Sequence, residues 1–168
     1  PLNTIEQLGL AGMMMDIGKI DIPTEILSKP GDLTKEEYLL VQSHVASSLE
    51  MLLGREGFPT HVLDIVASHH ERVDGSGYPR RLKGERISFH GELAGLADSY
   101  CAMTRNRAYG PAISSQKALE ALIRMRGIKF RDSVVDQFIQ CIGIYPIGSL
   151  VELNTGEVGV VIQQNQIR

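Results

Sequence analysis

The sequence predicts an all-α fold, a helical bundle with a small C-terminal β-hairpin, and three observations carry that expectation. Apolar residues recur at helical spacing in segment after segment up to about residue 143. Residues that start and stop helices separate those segments. Past Pro146 the pattern changes to runs rich in β-branched residues, Leu150-Val151-Glu152-Leu153 and Val158 to Ile162, on either side of Asn154-Thr155-Gly156-Glu157. That is the pattern of two strands around a turn. The expected division is a helical domain over residues 1–146 and a hairpin appendage over 147–168.

The elements follow in order. Residues 4–17 read as a helix, with Ile5, Leu8, Gly12 and Met15 or Asp16 at helical spacing and Gly18 ending it. Ile20 to Pro23 reads as extended, and Lys29-Pro30-Gly31-Asp32 as a turn. Thr34 followed by Glu37 is a capping-box pattern that opens a second long helix. Its stripe is Tyr38, Val41, Val45, Leu49 and Leu52, with His44 beside Val45. Gly54 and Gly57 punctuate the next loop. A third helix is expected over residues 60–72, with Val62, Ile65, Val66 and then His69 inward. Residues 73–86, rich in Gly, Pro and Arg, form a loop. A fourth helix over 88–104 carries Leu93, Leu96, Ala97 and Tyr100 on one face. Its neighbouring strip of Ala94, Asp98, Cys101 and Ala102 is small enough to admit another helix. Helices over about 115–126 and 131–143 complete the bundle. There is no internal repeat and no low-complexity tract.

Composition narrows the function classes. With 43% hydrophobic residues in 168, a single core is within reach. A net charge of −3 excludes a general attraction to nucleic acid or anionic membrane, so an anionic ligand needs a local cationic cluster. No apolar run approaches bilayer length and no signal-peptide pattern is present, which points to the cytoplasm. Cys101 and Cys141 form no CxxC pair and read as small apolar fillers in a reducing compartment. The first residue is Pro1, which reads as a piece of a longer chain.

The chemistry concentrates in HHERVDGSGYP, residues 69–79. Adjacent imidazoles followed by Glu71, Asp74 and a glycine-punctuated turn are costly to bury and well suited to binding a transition metal. One lone helical histidine is more often structural; the string is harder to explain that way. Candidate ligands spread over four helices: Asp16 at the end of the first, His44 on the second, His69 and His70 on the third, Asp98 on the fourth. His61 and His90 lack such company and read as surface residues. Gly75 and Gly77 indicate positive φ or close backbone approach. Arg72, Arg80, Arg81, Lys83 and Arg86, against Glu71, Asp74 and Glu85, give the loop a positive excess; an ordinary solvated loop has similar charges. Tyr78 is placed to stack on a base or to pack on its own loop.

With those strings, together with LAGMMMDIGKIDIP, ILSKPGDLTKEE, LADSYCAMT and YPIGSLVELNTGE, the chain resembles the HD-GYP domain, a subgroup of the HD metal-dependent phosphohydrolases that opens cyclic di-GMP in bacterial second-messenger signalling. The resemblance covers nearly the whole chain. It implies a helical bundle with a centre of iron or manganese ions, held here by Asp16, His44, His69, His70 and Asp98. It implies substrate contacts from Lys19 and Arg107, a catalytic role for Asp16 and Lys19, and a loop of Gly75, Gly77, Tyr78 and Pro79 at the mouth of the site. The chain departs from the pattern at Met15, where the family has the His of its HD pair, and at Gly110, where it usually has a basic residue. It also lacks the Glu and His that the family draws from an upstream helix, since Glu6 is the only carboxylate before Asp16. The departure at Met15 implies an impaired or atypical centre of two ions or fewer. The expected activity is hydrolysis of cyclic di-GMP to pGpG or GMP. The alternatives are an inactive module that binds cyclic di-GMP or a partner, such as a diguanylate cyclase (GGDEF) domain, through the GYP loop, and an HD phosphohydrolase acting on another phosphoester.

Overall fold

The computed structural model describes residues 3–55, 57–105 and 111–164. Eight α-helices and one hairpin are formed among them: α1 (Thr4–Met14), α2 (Thr24–Leu27), α3 (Lys35–Gln42), α4 (His44–Leu53), α5 (Thr60–Ser68), α6 (Phe89–Thr104), α7 (Ser115–Met125), α8 (Asp132–Ile142), β1 (Leu150–Glu152) and β2 (Val158–Val160). The expected all-α bundle with a C-terminal hairpin is what forms.

Local signals set most boundaries. Thr34 caps α3 with the expected box, its hydroxyl accepting from Glu37 N–H while the Glu37 carboxylate accepts from Thr34 N–H. Asn3 and Glu6 make the same reciprocal pair on α1. Ser88 and Ser114 cap α6 and α7.

Several expectations need correction. The first helix stops at Met14, and residues expected to be extended instead form a 3₁₀ turn, Ile17–Asp21. The second long helix divides at Ser43, whose N–H reaches both Leu39 and Leu40 carbonyls, so one tight residue separates α3 from α4. The third helix ends at Ser68, because His69 is its C-cap and His70 lies beyond it. Cys101 and Cys141 are exposed thiols rather than fillers.

Two apolar clusters share α6. On one side Leu96 packs with Leu119 and Leu122 of α7, Phe130, and Val134, Val135 and Phe138 of α8. On the other, Ala94 packs with Ala11 of α1, Leu52 of α4, and Val62, Ile65 and Val66 of α5. Gly91 and Gly95 make the close approach of α6 to α5, beside Ala94 of the expected small-residue strip. A Cβ on Gly95 would lie 2.1 Å from the His69 carbonyl oxygen, so α6 supports the backbone of the His69 turn directly. His61 and His90 pair across the same α5–α6 seam, Nε2 to Nδ1 at 3.1 Å, with His61 Nδ1 2.8 Å from Gln7 Oε1. They are half-buried, not surface residues.

The hairpin is antiparallel in the register Leu150↔Val160, Val151↔Gly159 and Glu152↔Val158. Gln164 beyond it donates to the carbonyls of Ile142 and Tyr145, which fastens the chain after β2 to the C-terminal end of α8. No helix among the described residues is long and apolar enough to cross a membrane.

Candidate metal centre

Asp16 lies at the junction between α1 and the 3₁₀ turn, and α4 holds that junction from both sides. Ser48 Oγ donates to the Met15 carbonyl and accepts from Gly18 N–H, both at 2.9 Å. Gly18 is required by contact: a Cβ there would meet the His44 carbonyl oxygen at 2.2 Å and Ser48 N at 2.5 Å. His44 and Ser48 stand one turn apart on α4, so the residues that clamp the junction also bring an imidazole to it.

His44 and His69 are oriented the same way. Each ring donates Nδ1–H to the carbonyl three residues earlier, His44 to Val41 at 2.6 Å and His69 to Val66 at 2.7 Å. That fixes the neutral tautomer with its lone pair on Nε2, the arrangement of metal-ligating histidines. Both Nε2 atoms face Asp16 Oδ1, at 3.3 Å from His44 and 3.9 Å from His69. A neutral His44 that gives its proton to Val41 has none to offer Asp16, so lone pairs confront one another. Asp16 Oδ1, His44 Nε2 and His69 Nε2 are each buried without a hydrogen-bond partner. Asp16 Oδ2 instead accepts from Lys19 Nζ at 2.7 Å.

His70 completes the group, and one donor atom from each of Asp16, His44, His69 and His70 lies within 4.8 Å of all the others. Donors around one ion at about 2.1 Å are at most about 4.2 Å apart, so small side-chain adjustments give shared coordination. Three imidazoles and a carboxylate suit iron, manganese or zinc. The orphaned lone pairs fit such an ion and are hard to explain without one.

Electrostatics keep His69, His70 and Asp16 in their ligating forms. Burial pushes the His69 imidazole down to about 4 despite the Val66 hydrogen bond and the Asp16 charge, and burial with the neighbouring His69, His44 and Arg72 lowers His70 further. Burial opposes charge on Asp16, while the Lys19 ammonium on Oδ2 acts against that penalty, and the carboxyl is held below the usual carboxylate range. Asp98, expected beside these residues, is outside the mutually close set; it lies half-buried on α6, close enough to Arg72 and Tyr78 to act on both electrostatically. Arg107 and Gly110 lie outside the described residues.

The loop after His70 folds back on the same turn. Gly75 has φ +81°, and a Cβ on Gly77 would fall within 2.5 Å of the Arg72 N, Glu71 Cα and His70 O atoms, so both glycine expectations hold. Tyr78 N–H donates to His70 O, its ring stacks on His70 at 4.5 Å, and the bond to Pro79 is cis. Two jobs were missed from the sequence. Glu71 is fully buried and accepts from Arg80 N–H at 2.7 Å and Leu82 N–H at 2.8 Å, so it anchors the loop. Arg72 is spent inside the protein, on the His69 and Glu71 carbonyls, on Ser99 and over the Phe130 ring, and does not add to the loop's free charge. Arg80, Arg81, Lys83 and Arg86 remain exposed. Only the spacing of Glu71 from the loop hinted at its role; nothing in the pattern marked Arg72.

The chain is similar to known proteins over most of its length. The HD domain pattern matches residues 2–134. A cyclic di-GMP phosphodiesterase of Pseudomonas aeruginosa is 38% identical over 96% of this chain and 39% of its own length. A cyclic di-GMP phosphodiesterase of Vibrio cholerae is 38% identical over 80% of this chain and 29% of its own. A 3'3'-cGAMP-specific phosphodiesterase of the same organism is 39% identical over 68% of this chain and 26% of its own. The chain thus spans less than two fifths of the length of these relatives.

Proposed function

Because the chain belongs to the HD domain family, we propose that it is a metal-dependent phosphohydrolase of the HD-GYP type that opens cyclic di-GMP to pGpG, built on one divalent ion, iron or manganese, rather than two. The observation that carries this reading is the set of buried atoms without partners, Asp16 Oδ1, His44 Nε2 and His69 Nε2, converging on one point. Asp16, His44, His69 and His70 would hold the ion. When bound, it supplies an activated water near neutral pH and polarises a phosphoryl oxygen.

Two features support a single ion. Asp16 Oδ2 accepts from the Lys19 ammonium and so would be less available to a second ion. Met15 packs with the apolar cluster and lines a cavity of about 130 Å³ with Leu8, Gly12, Leu93, Ala94 and Ala97, so a thioether in an apolar seam stands where the family carries an imidazole. The rest of the work falls to the chain's own groups. Lys19 brings a positive charge beside the ion pocket and stabilises charge developing on the phosphate oxygens. Arg107 serves the same end from its own segment. The backbone clamp from Glu71 holds Gly75, Gly77, Tyr78 and Pro79 at the mouth.

The test is turnover of cyclic di-GMP by the purified chain supplied with Mn²⁺ or Fe²⁺, with pGpG followed by chromatography and metal counted per chain. One ion and ion-dependent pGpG are expected. Tight cyclic di-GMP binding with no product would make the chain a receptor, and neither binding nor product would overturn the reading.

A further inference from the structure

The structure assigns Tyr38, working with Tyr78, as the stacking surface for a purine base of the nucleotide whose phosphodiester lies at the ion pocket; this rests on the phosphodiesterase reading above. By spacing, Tyr38 belongs to the core stripe with Val41, Val45, Leu49 and Leu52. Instead its residue is 49% exposed, and it joins neither apolar cluster. Single exposed aromatics are common and mean little alone. What distinguishes Tyr38 is where its ring connects.

An aromatic wall runs outward from the ligands. His70, whose nitrogen is one of the four convergent donors, carries Tyr78 stacked at 4.5 Å and 22°. Tyr78 meets Tyr38 edge-on, with centroids 6.3 Å apart and planes at 79°. The two tyrosines therefore form a corner, where a flat ring can stack on one and present its edge to the other, both favourable aromatic geometries. In a nucleotide one ribose separates base from phosphate; here one tyrosine ring separates the ligand His70 from Tyr38. Tyr78 is committed to His70 on one face, whereas no ring is stacked on Tyr38 among the described residues. Tyr38 is the open half of the corner.

Stacking is tolerant of base identity, because every base has a π face. Tyr38 should therefore supply affinity and no discrimination between guanine and adenine. That separates it from whatever distinguishes relatives named for cyclic di-GMP from those named for 3'3'-cGAMP.

The experiment measures dissociation constants of the Mn²⁺-loaded chain for cyclic di-GMP, 3'3'-cGAMP and inorganic phosphate, in wild type, Tyr38→Ala and Tyr38→Phe. Tyr38→Ala should weaken both dinucleotides by about tenfold or more, by the same factor, and leave phosphate affinity and ion content unchanged. Tyr38→Phe should retain wild-type affinity. Unchanged dinucleotide affinity in Tyr38→Ala, or an equal loss for phosphate, overturns the assignment while leaving the phosphodiesterase reading in place. A wild type that binds phosphate and neither dinucleotide overturns that reading, and the platform with it.

Discussion

Glu92 and Asp16 both set carboxylate oxygens away from bulk water, and the molecule treats them in opposite ways. Glu92, almost fully buried on α6, is met by the backbone N–H and the Nε of Arg131, one on each oxygen. The same guanidinium goes on to Glu85 and to the Ile87 carbonyl, tying α6 to the start of α8. Asp16 has one oxygen on Lys19 and turns the other toward two imidazole lone pairs. A buried polar group without a partner costs about 1–3 kcal/mol. The first cluster is complete within the protein and serves the scaffold. The second lacks one positive charge, and that deficit marks a site.

The sharpest way to break the contrast is to remove a donor from the deficient cluster. His69→Ala should abolish ion binding, measured as metal per chain after loading with Mn²⁺. In the wild type an ion at about a hundredfold excess over its dissociation constant should stabilise the fold by about 2.7 kcal/mol, and that shift should vanish in the variant. Full metal content in His69→Ala would refute the ligand assignment. Met15→His asks the reverse, adding a donor in the α1–α6 seam next to Asp16. Metal should rise from one ion toward two per chain, with turnover rising alongside; a change in neither would show that Met15 does not limit the centre.

These experiments also show what was legible beforehand. Helices and hairpin were, because apolar period, capping boxes and turn residues act over a few neighbours, as Thr34–Glu37 does. The convergence of Asp16, His44, His69 and His70 was, because two adjacent histidines in a glycine-rich string have few structural uses, whereas Asp98 was expected in the group and lies outside it. Contacts between distant segments were not. Ser48 clamps a junction thirty residues away, Arg72 turns inward onto Phe130, and Tyr38 leaves the core stripe its spacing suggests. Each depends on how α4, α5 and α6 pack, which no local pattern records. Asp16 was expected on a helix but sits just past one, where the chain turns enough to free its carboxylate.

Damage to the complete cluster should behave differently. Glu92→Ala leaves the Arg131 backbone N–H without its buried acceptor, and an unpaired buried group of that kind costs about 1–3 kcal/mol. Denaturant unfolding should register that loss, while metal per chain stays at the wild-type value. If Glu92→Ala lowered ion stoichiometry as His69→Ala does, the two clusters would not be separable.

The smallest effect is in pH. The His69 imidazole is held at about 4 in the fold by burial, against an ordinary value of 6.5. A depressed histidine favours the folded chain above 6.5, where neither state is protonated. As pH falls below 6.5 the unfolded chain takes up a proton that the fold refuses until about 4, so stability is lost across that window. Between pH 7 and pH 5 the metal-free chain should lose about 2 kcal/mol from this residue, and His70, lowered in the same direction, adds to the loss. Asp16 contributes nothing there, because its carboxyl is already ionised in both states and its depressed value matters only below the ordinary carboxylate range. Denaturant midpoints of metal-free protein at pH 7, 6 and 5 test this, with His69→Gln as the comparison that should remove the His69 share of the slope and keep that of His70. A metal-free wild type equally stable at pH 7 and pH 5 would mean that the imidazole lone pairs are not held ready in the fold.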